Sequence, residues 1–115
     1  MNNKKINSII NNEVEKISKV LKDIKLIKNK NFLKLCSMSI KAIKSKKKII
    51  FYGNGGSASD AQHLAAEFVV KYDKKRVALP AISLATDTSI ITATGNDFAF
   101  KNIFSRQIEA IGNKG

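Results

Sequence analysis

The stretch Ile49 to Glu67, IIFYGNGGSASDAQHLAAE, limits the folds open to this chain more than any other part of it. Its first four residues, Ile49-Ile50-Phe51-Tyr52, form a short apolar run bounded by a turn signal, which predicts a buried strand. The run breaks at Gly53-Asn54-Gly55-Gly56. Ser57 and Asp60 then have the spacing of a capping box, so a helix is expected to open at Ser57 and to run to about Tyr72. Asp73 to Arg76 reads as a charged turn, and Pro80 introduces a second buried strand, Ala81 to Leu84. Two strands joined through a helix form a βαβ unit, which implies a parallel sheet. Further on, the pattern predicts a short helix over Thr88 to Ala93 and a loop at Thr94-Gly95-Asn96-Asp97. A last helix is expected from about Lys101 to Ile111, ended by Gly112. Two parallel strands alone make a poor sheet, and a third is expected to begin near Gly115.

Ahead of this unit, Ile6, Ile10, Val14, Ile17, Leu21, Ile24 and Ile27 recur in alternating steps of four and three. That stripe predicts one long amphipathic helix ending near Lys28, preceded by frayed residues 1–5. A second helix is expected after Asn29 to Asn31, with Phe32, Leu35, Cys36, Ile40 and Ile43 on its buried side. Lys46-Lys47-Lys48 closes it, where positive charge suits the helix dipole. The first stripe is longer than one small sheet needs, so two expectations stand: cover for the core, or a bundle contact with another subunit. The division expected is a helical segment over residues 1–47 and an α/β domain over residues 48–115.

The net charge of +12 raises the question of nucleic acid. Residues 1–50 hold fourteen lysines against Glu13, Glu15 and Asp23, whereas residues 51–115 hold seven basic and six acidic groups. The excess therefore lies on the N-terminal helices, away from the glycine loop. Arginine, the residue suited to bidentate base and phosphate contacts, occurs only at positions 76 and 106. A solvated lysine face is the expectation, and nucleic acid is not an expected partner. No apolar run reaches the length needed to span a bilayer, and the N-terminus lacks a signal-peptide core, so a cytoplasmic protein is expected. The single cysteine, Cys36, excludes an internal disulfide framework.

Strand, glycine turn and helix N-terminus together form a cradle for an anion, because glycines admit a ligand close to the backbone and first-turn N–H groups face it. The loop also satisfies G-x-G-x-x-A, the weak form of a dinucleotide fingerprint. Asp73 falls before the second strand and Asp87 comes too late to hold a ribose hydroxyl, which disfavours that reading. His63 and Glu67 stand four residues apart and hence on one helix face, with Asp60, while Ala61, Leu64, Ala65, Phe68 and Tyr72 form the core stripe. The pair reads either as a simple ion pair or as acid–base or metal chemistry; two ligands alone are too few for zinc. Asn96-Asp97 is placed on a loop at the same ligand-facing edge, and the polar cluster Ser83 to Ser89 contains helix-capping residues.

GNGGSASDAQHLAAEF, then LPAISLATDTSIITATGNDF and IFSRQIEAIG, closely resemble the phosphoheptose isomerase family of sugar-isomerase (SIS) domains. The resemblance runs from about Ile49 to Gly115. It implies N-terminal helices followed by a doubly wound, flavodoxin-like parallel sheet that is here truncated after the second βα unit. It also implies a cytoplasmic homotetramer that converts sedoheptulose 7-phosphate to glycero-manno-heptose 7-phosphate for surface polysaccharide. Asn54, Gly55, Gly56 and Ser57 would line the substrate, and Asn96 and Asp97 would contact the sugar phosphate. His63 would be a zinc ligand, and Glu67 both a zinc ligand and the acid–base group, touching substrate. The family's main phosphate grip is a Ser/Thr-rich loop, and a Gln and a His complete its zinc set. None of these falls within the 115 residues, so the chain alone is expected to be inactive and to fold poorly. Two alternatives follow from the same resemblance: a regulator that binds the replication initiator protein, whose relatives lose the carboxylate at the position of Glu67, or a non-catalytic sugar-phosphate-binding module.

Overall fold

A computed structural model describes residues 2–26 and 30–113. Ile27 of the first stripe, the helix end expected near Lys28, Asn29, and the strand start expected at Gly115 lie outside the described residues. The chain divides into two compact units, one up to Leu35 and one from Cys36 onward.

In the first unit, α1 (Asn3–Leu26) begins within the stretch expected to be frayed. Asn2 explains the early start: its side chain accepts the Lys4 N–H at 3.2 Å, and its carbonyl accepts those of Lys5 and Ile6. The expected stripe is present, and Ile10, Val14, Ile17, Leu21 and Ile24 are each more than half exposed. The helix α2 (Lys30–Lys44) has residues in both units, its part from Cys36 belonging to the second, and it ends before the lysine run. Lys46 takes a left-handed conformation with φ of 57°, Lys47 N–H reaches the Ala42 carbonyl and Lys46 N–H that of Ile43. This is a Schellman closure built on a lysine in place of the usual glycine. The face expected to be buried is not: Phe32, Leu35 and Ile40 are more than half exposed, while Cys36 and Ile43 are half-buried.

In the second unit, β1 (Ile49–Phe51) and β2 (Ala81–Ser83) pair in parallel, with Ile49 opposite Ala81 and Phe51 opposite Ser83. Both strands are shorter than the apolar runs that encode them, yet the ladder continues at each end. Ile49 N–H donates to the Pro80 carbonyl and Leu84 N–H to that of Phe51, each at 2.9 Å. The crossover helix α3 (Gly56–Val69) lies against both strands through Ala61 and Ala65, both buried. Alanines let helix and sheet approach closely, and the Phe68 ring then packs on Phe51 with centroids 5.5 Å apart. Leu64 and Tyr72, expected in the core stripe, are exposed, and α3 stops short of Tyr72.

The chain leaving β2 forms α4 (Thr88–Phe98), whose N-cap Asp87 accepts the Ile90 N–H at 2.9 Å, as the polar cluster foretold. A single 3-10 turn, Phe100–Asn102, leads to α5 (Ser105–Ile111). The last helix therefore begins later than expected. Leu84 and Ile103 are the most deeply buried large side chains, and Tyr52 meets Phe104 at 5.1 Å. Buried Gln107 donates from Nε2 to the carbonyls of Leu84 and Ile103, which fastens α5 to the end of β2. Gly112 ends α5 as expected but in an extended conformation, its N–H on the Ile108 carbonyl. No described helix is long and apolar enough to cross a membrane.

Candidate functional site

The glycine turn sits at the carboxyl end of β1, where a parallel sheet presents its loops to ligands. Gly53 is there because nothing larger fits: a Cβ on it would lie 2.6 Å from the Ser57 Cβ and 2.8 Å from the Ser57 carbonyl oxygen. Gly55 is the N-cap of α3, with φ of 56° and ψ of −126°, a conformation natural to glycine alone. The helix therefore opens at Gly56, one residue before Ser57, and no side chain caps it. The capping box of Ser57 and Asp60 does not form, because Ser57 already lies within the first turn. Ser57 N–H donates to the Asn54 carbonyl and Ala58 N–H to that of Gly55. Two amides expected to face an anion are thus engaged inside the turn, while Asn54 through Ser57 are all exposed to an incoming ligand.

One turn further along α3 the expected pair is in place. His63 Nε2 stands 3.6 Å from Glu67 Oε1, close enough for an ion pair and too long for a hydrogen bond. The imidazole is 75% exposed and the Glu67 side chain 26%. Glu67 Oε2 is buried and has no hydrogen-bond partner among the described residues. A buried carboxylate oxygen without a donor is an unmet chemical demand, satisfied by a proton, a cation or a ligand hydroxyl. Beside the pair lies an open, largely apolar groove of about 400 Å³, formed by His63, Glu67, Phe68, Tyr72, Arg76 and Leu79. His63 and Glu67 therefore share their side of α3 with part of the apolar stripe. The donor chemistry fits a divalent metal as half of a tetrahedral set: an imidazole nitrogen and a carboxylate one turn apart. Among the described residues, no third His, Cys, Asp or Glu joins them.

Asn96 and Asp97 are not on a loop. Both lie in the last turn of α4, exposed, with Asn96 Nδ2 donating to Asp97 Oδ1 at 2.7 Å. The helix runs on through Gly95 because Thr94 is buried and must point inward, while the Thr92 hydroxyl donates to the Thr88 carbonyl. The site residues thus fall into three local groups: the loop Asn54 to Ser57, the pair on α3, and the pair at the end of α4. Gln62, next to His63, donates to the Ala85 carbonyl at 3.3 Å, which ties α3 to the chain leaving β2.

One structural residue next to this site escaped sequence reasoning. Arg76, in the turn after α3, donates from Nη2 to the Glu67 carbonyl at 2.6 Å and from Nη1 to those of Phe68 and Val77. The only sequence signal for it is its rarity among lysines.

The sequence pattern of the SIS domain matches residues 14–114. A phosphoheptose isomerase of Clostridium acetobutylicum is 46% identical over 110 residues, covering 96% of this chain and 55% of that protein. A phosphoheptose isomerase of Nitratidesulfovibrio vulgaris is 63% identical over 68 residues, 59% of this chain and 33% of its own length. The solved structure of phosphoheptose isomerase from Neisseria gonorrhoeae superposes with a TM-score of 0.84 at 31% identity, covering 94% of this chain and 55% of that one. The chain spans about half the length, or less, of the curated relatives it matches.

Proposed function

Because this chain belongs to the SIS-domain family, we propose that it carries part of the active site of an aldose–ketose isomerase acting on sedoheptulose 7-phosphate to give D-glycero-D-manno-heptose 7-phosphate. Its likeness to phosphoheptose isomerases in sequence and fold supports that reading. The observation that carries it is Glu67, whose Oε2 is buried and unpartnered beside His63. The reaction moves one proton between neighbouring carbons of an open-chain sugar. Glu67 takes the proton from C1 of the ketose, an enediol forms, and the same carboxyl returns the proton to C2 while a hydroxyl proton passes from O1 to O2.

His63 and Glu67 would hold a zinc ion, with further donors completing its shell. When bound, zinc supplies Lewis-acid polarisation of the sugar carbonyl. The exposed loop Asn54-Gly55-Gly56-Ser57 would receive the polyol chain, where absent side chains at Gly55 and Gly56 leave the backbone open to hydroxyl groups. Asn96 and Asp97, already bonded to each other, offer an amide and a carboxylate to the sugar. The exposed apolar stripe of α1 supports self-association, which we propose is a homotetramer. The proposed location is the cytoplasm.

Glu67→Gln in the full-length protein tests the assignment. It is expected to lower turnover by about 10²–10⁴-fold, the usual contribution of a general acid–base group, with sugar phosphate binding retained. Aldose formation followed by proton NMR reads the first quantity and isothermal titration the second. Unchanged turnover would remove Glu67 from the chemistry. Zinc content measured by atomic emission is expected to fall in both Glu67→Gln and His63→Ala.

A further inference from the structure

We propose that Arg76 is a positioning residue for the Glu67 carboxylate, a role resting on the assignment of Glu67 as proton carrier. The last carbonyls of a helix have no partner within it, and α3 ends at Val69, two residues after Glu67. Arg76 answers this need with one guanidinium. Nη2 lies 2.6 Å from the carbonyl of Glu67 itself and Nη1 lies 2.8 Å from that of Phe68. Leu79 N–H adds a second donor to the Phe68 carbonyl at 3.0 Å, and Arg76 Nη1 also holds the Val77 carbonyl of its own segment at 3.0 Å. The final turn of α3 is thereby fastened to the segment that leads into β2.

Glu67 is the residue this fastening affects most. Its side chain is largely buried with one oxygen unpartnered, so no side-chain hydrogen bond fixes that oxygen's direction. What fixes it is the backbone below, and Arg76 holds that backbone at Glu67. Arg76 and Glu67 also line the same groove, with Phe68 and Leu79 as its apolar wall. Cationic charge at a helix C-terminus is favourable in its own right. A planar fork adds what a point charge cannot, since it spans two carbonyls at once. A carboxylate must be held to a fraction of an ångström to shuttle a proton between adjacent carbons.

The test compares Arg76→Ala and Arg76→Lys with the unaltered protein by NMR, using the carbon signal of the Glu67 carboxyl group. The exposed Glu15 and Glu109 serve as internal references for a free carboxylate. In both variants the Glu67 signal is expected to move toward the reference values, and amide exchange at residues 67–70 to quicken about tenfold. Turnover by Arg76→Lys is expected to fall about tenfold with KM within about twofold, the split expected when positioning for the reaction is lost and binding is kept. Faster amide exchange with an unmoved Glu67 carboxyl signal overturns the proposal, because Arg76 would then be a helix cap and no more. If Arg76→Ala does not fold, Arg76→Lys carries the same comparison. A Glu67→Gln protein with full turnover would instead remove Glu67 as the proton carrier, the reading this role rests on, and it leaves the carboxyl signal as an independent answer.

Discussion

Three glycines within four residues, Gly53, Gly55 and Gly56, are required for three different reasons, and alanine at each separates them. At Gly53 the added Cβ meets the Ser57 Cβ at 2.6 Å, its carbonyl oxygen at 2.8 Å and its carbonyl carbon at 2.9 Å. Two of those atoms are backbone in the first turn of α3, so no side-chain rotation relieves the overlap. Overpacking costs about 1–3 kcal/mol when neighbours can yield, and this site belongs at or above the upper end. At Gly55 there is space, with nothing within 4 Å of the Cβ, but φ of 56° with ψ of −126° strains any L-residue. That strain is worth about 1–3 kcal/mol. At Gly56 there is neither clash nor unusual φ, and alanine lowers the entropy of the unfolded chain, a gain of about 0.4–1 kcal/mol. For a unit of this size, 3 kcal/mol corresponds to a fall in melting midpoint on the order of 15 °C. Thermal unfolding followed by circular dichroism at 222 nm should therefore rank the variants Gly56→Ala, unaltered protein, Gly55→Ala, Gly53→Ala from highest to lowest. A Gly53→Ala protein within about 0.5 kcal/mol of the unaltered one, or Gly56→Ala as the most damaging change, would refute the close approach of α3 to β1.

Two further substitutions test the backbone and the core. Ala99 has φ of 81° and ψ of 148° and Lys46 has φ of 57°, so glycine at either relieves strain. After the entropy cost of glycine, the net gain should be about 1 kcal/mol at Ala99 and somewhat less at Lys46, read from urea unfolding midpoints. Gln107→Leu keeps the volume but leaves the Leu84 carbonyl without its side-chain donor. It should cost about 1–3 kcal/mol in the same assay, and a neutral result would remove Gln107 as the clasp between α5 and β2.

Periodicity made the larger architecture legible. The stripe of α1, the two apolar runs and the helix between them need only local sequence, and their parallel pairing follows because a helix joins them. The His63–Glu67 pair was legible for the same reason, since a spacing of four places two side chains on one helix face wherever the helix packs. The errors fall where a residue's local preference competes with packing. Thr94-Gly95-Asn96-Asp97 reads as a turn by composition, yet buried Thr94 keeps the backbone helical through it. Ser57 reads as a cap, yet the steric demand at Gly53 and the positive φ of Gly55 start the helix earlier. The inner face of α2 illustrates the limit of a stripe: it states that a partner is needed and not which surface meets it.

The two arginines show how composition can carry positional information. In a chain with 21 basic residues, lysine occupies nearly every site where a point charge suffices. Lys16 gives a single bond to Glu13 at 2.6 Å, and Lys48 a single bond to the Ile111 carbonyl at 2.9 Å. The arginines make contacts to which a planar guanidinium is better suited than an ammonium. Arg76 divides its fork among the carbonyls of Glu67, Phe68 and Val77, and Arg106 sets its guanidinium carbon over the Phe98 ring, 3.8 Å from the centroid. Phe98 ends the helix that carries Asn96 and Asp97, and Glu67 lies in the last turn of the helix that carries His63. Each arginine therefore braces the end of a helix bearing candidate site residues. Where composition pushes a sequence toward one of two similar residues, the positions that keep the other are those whose geometry requires it.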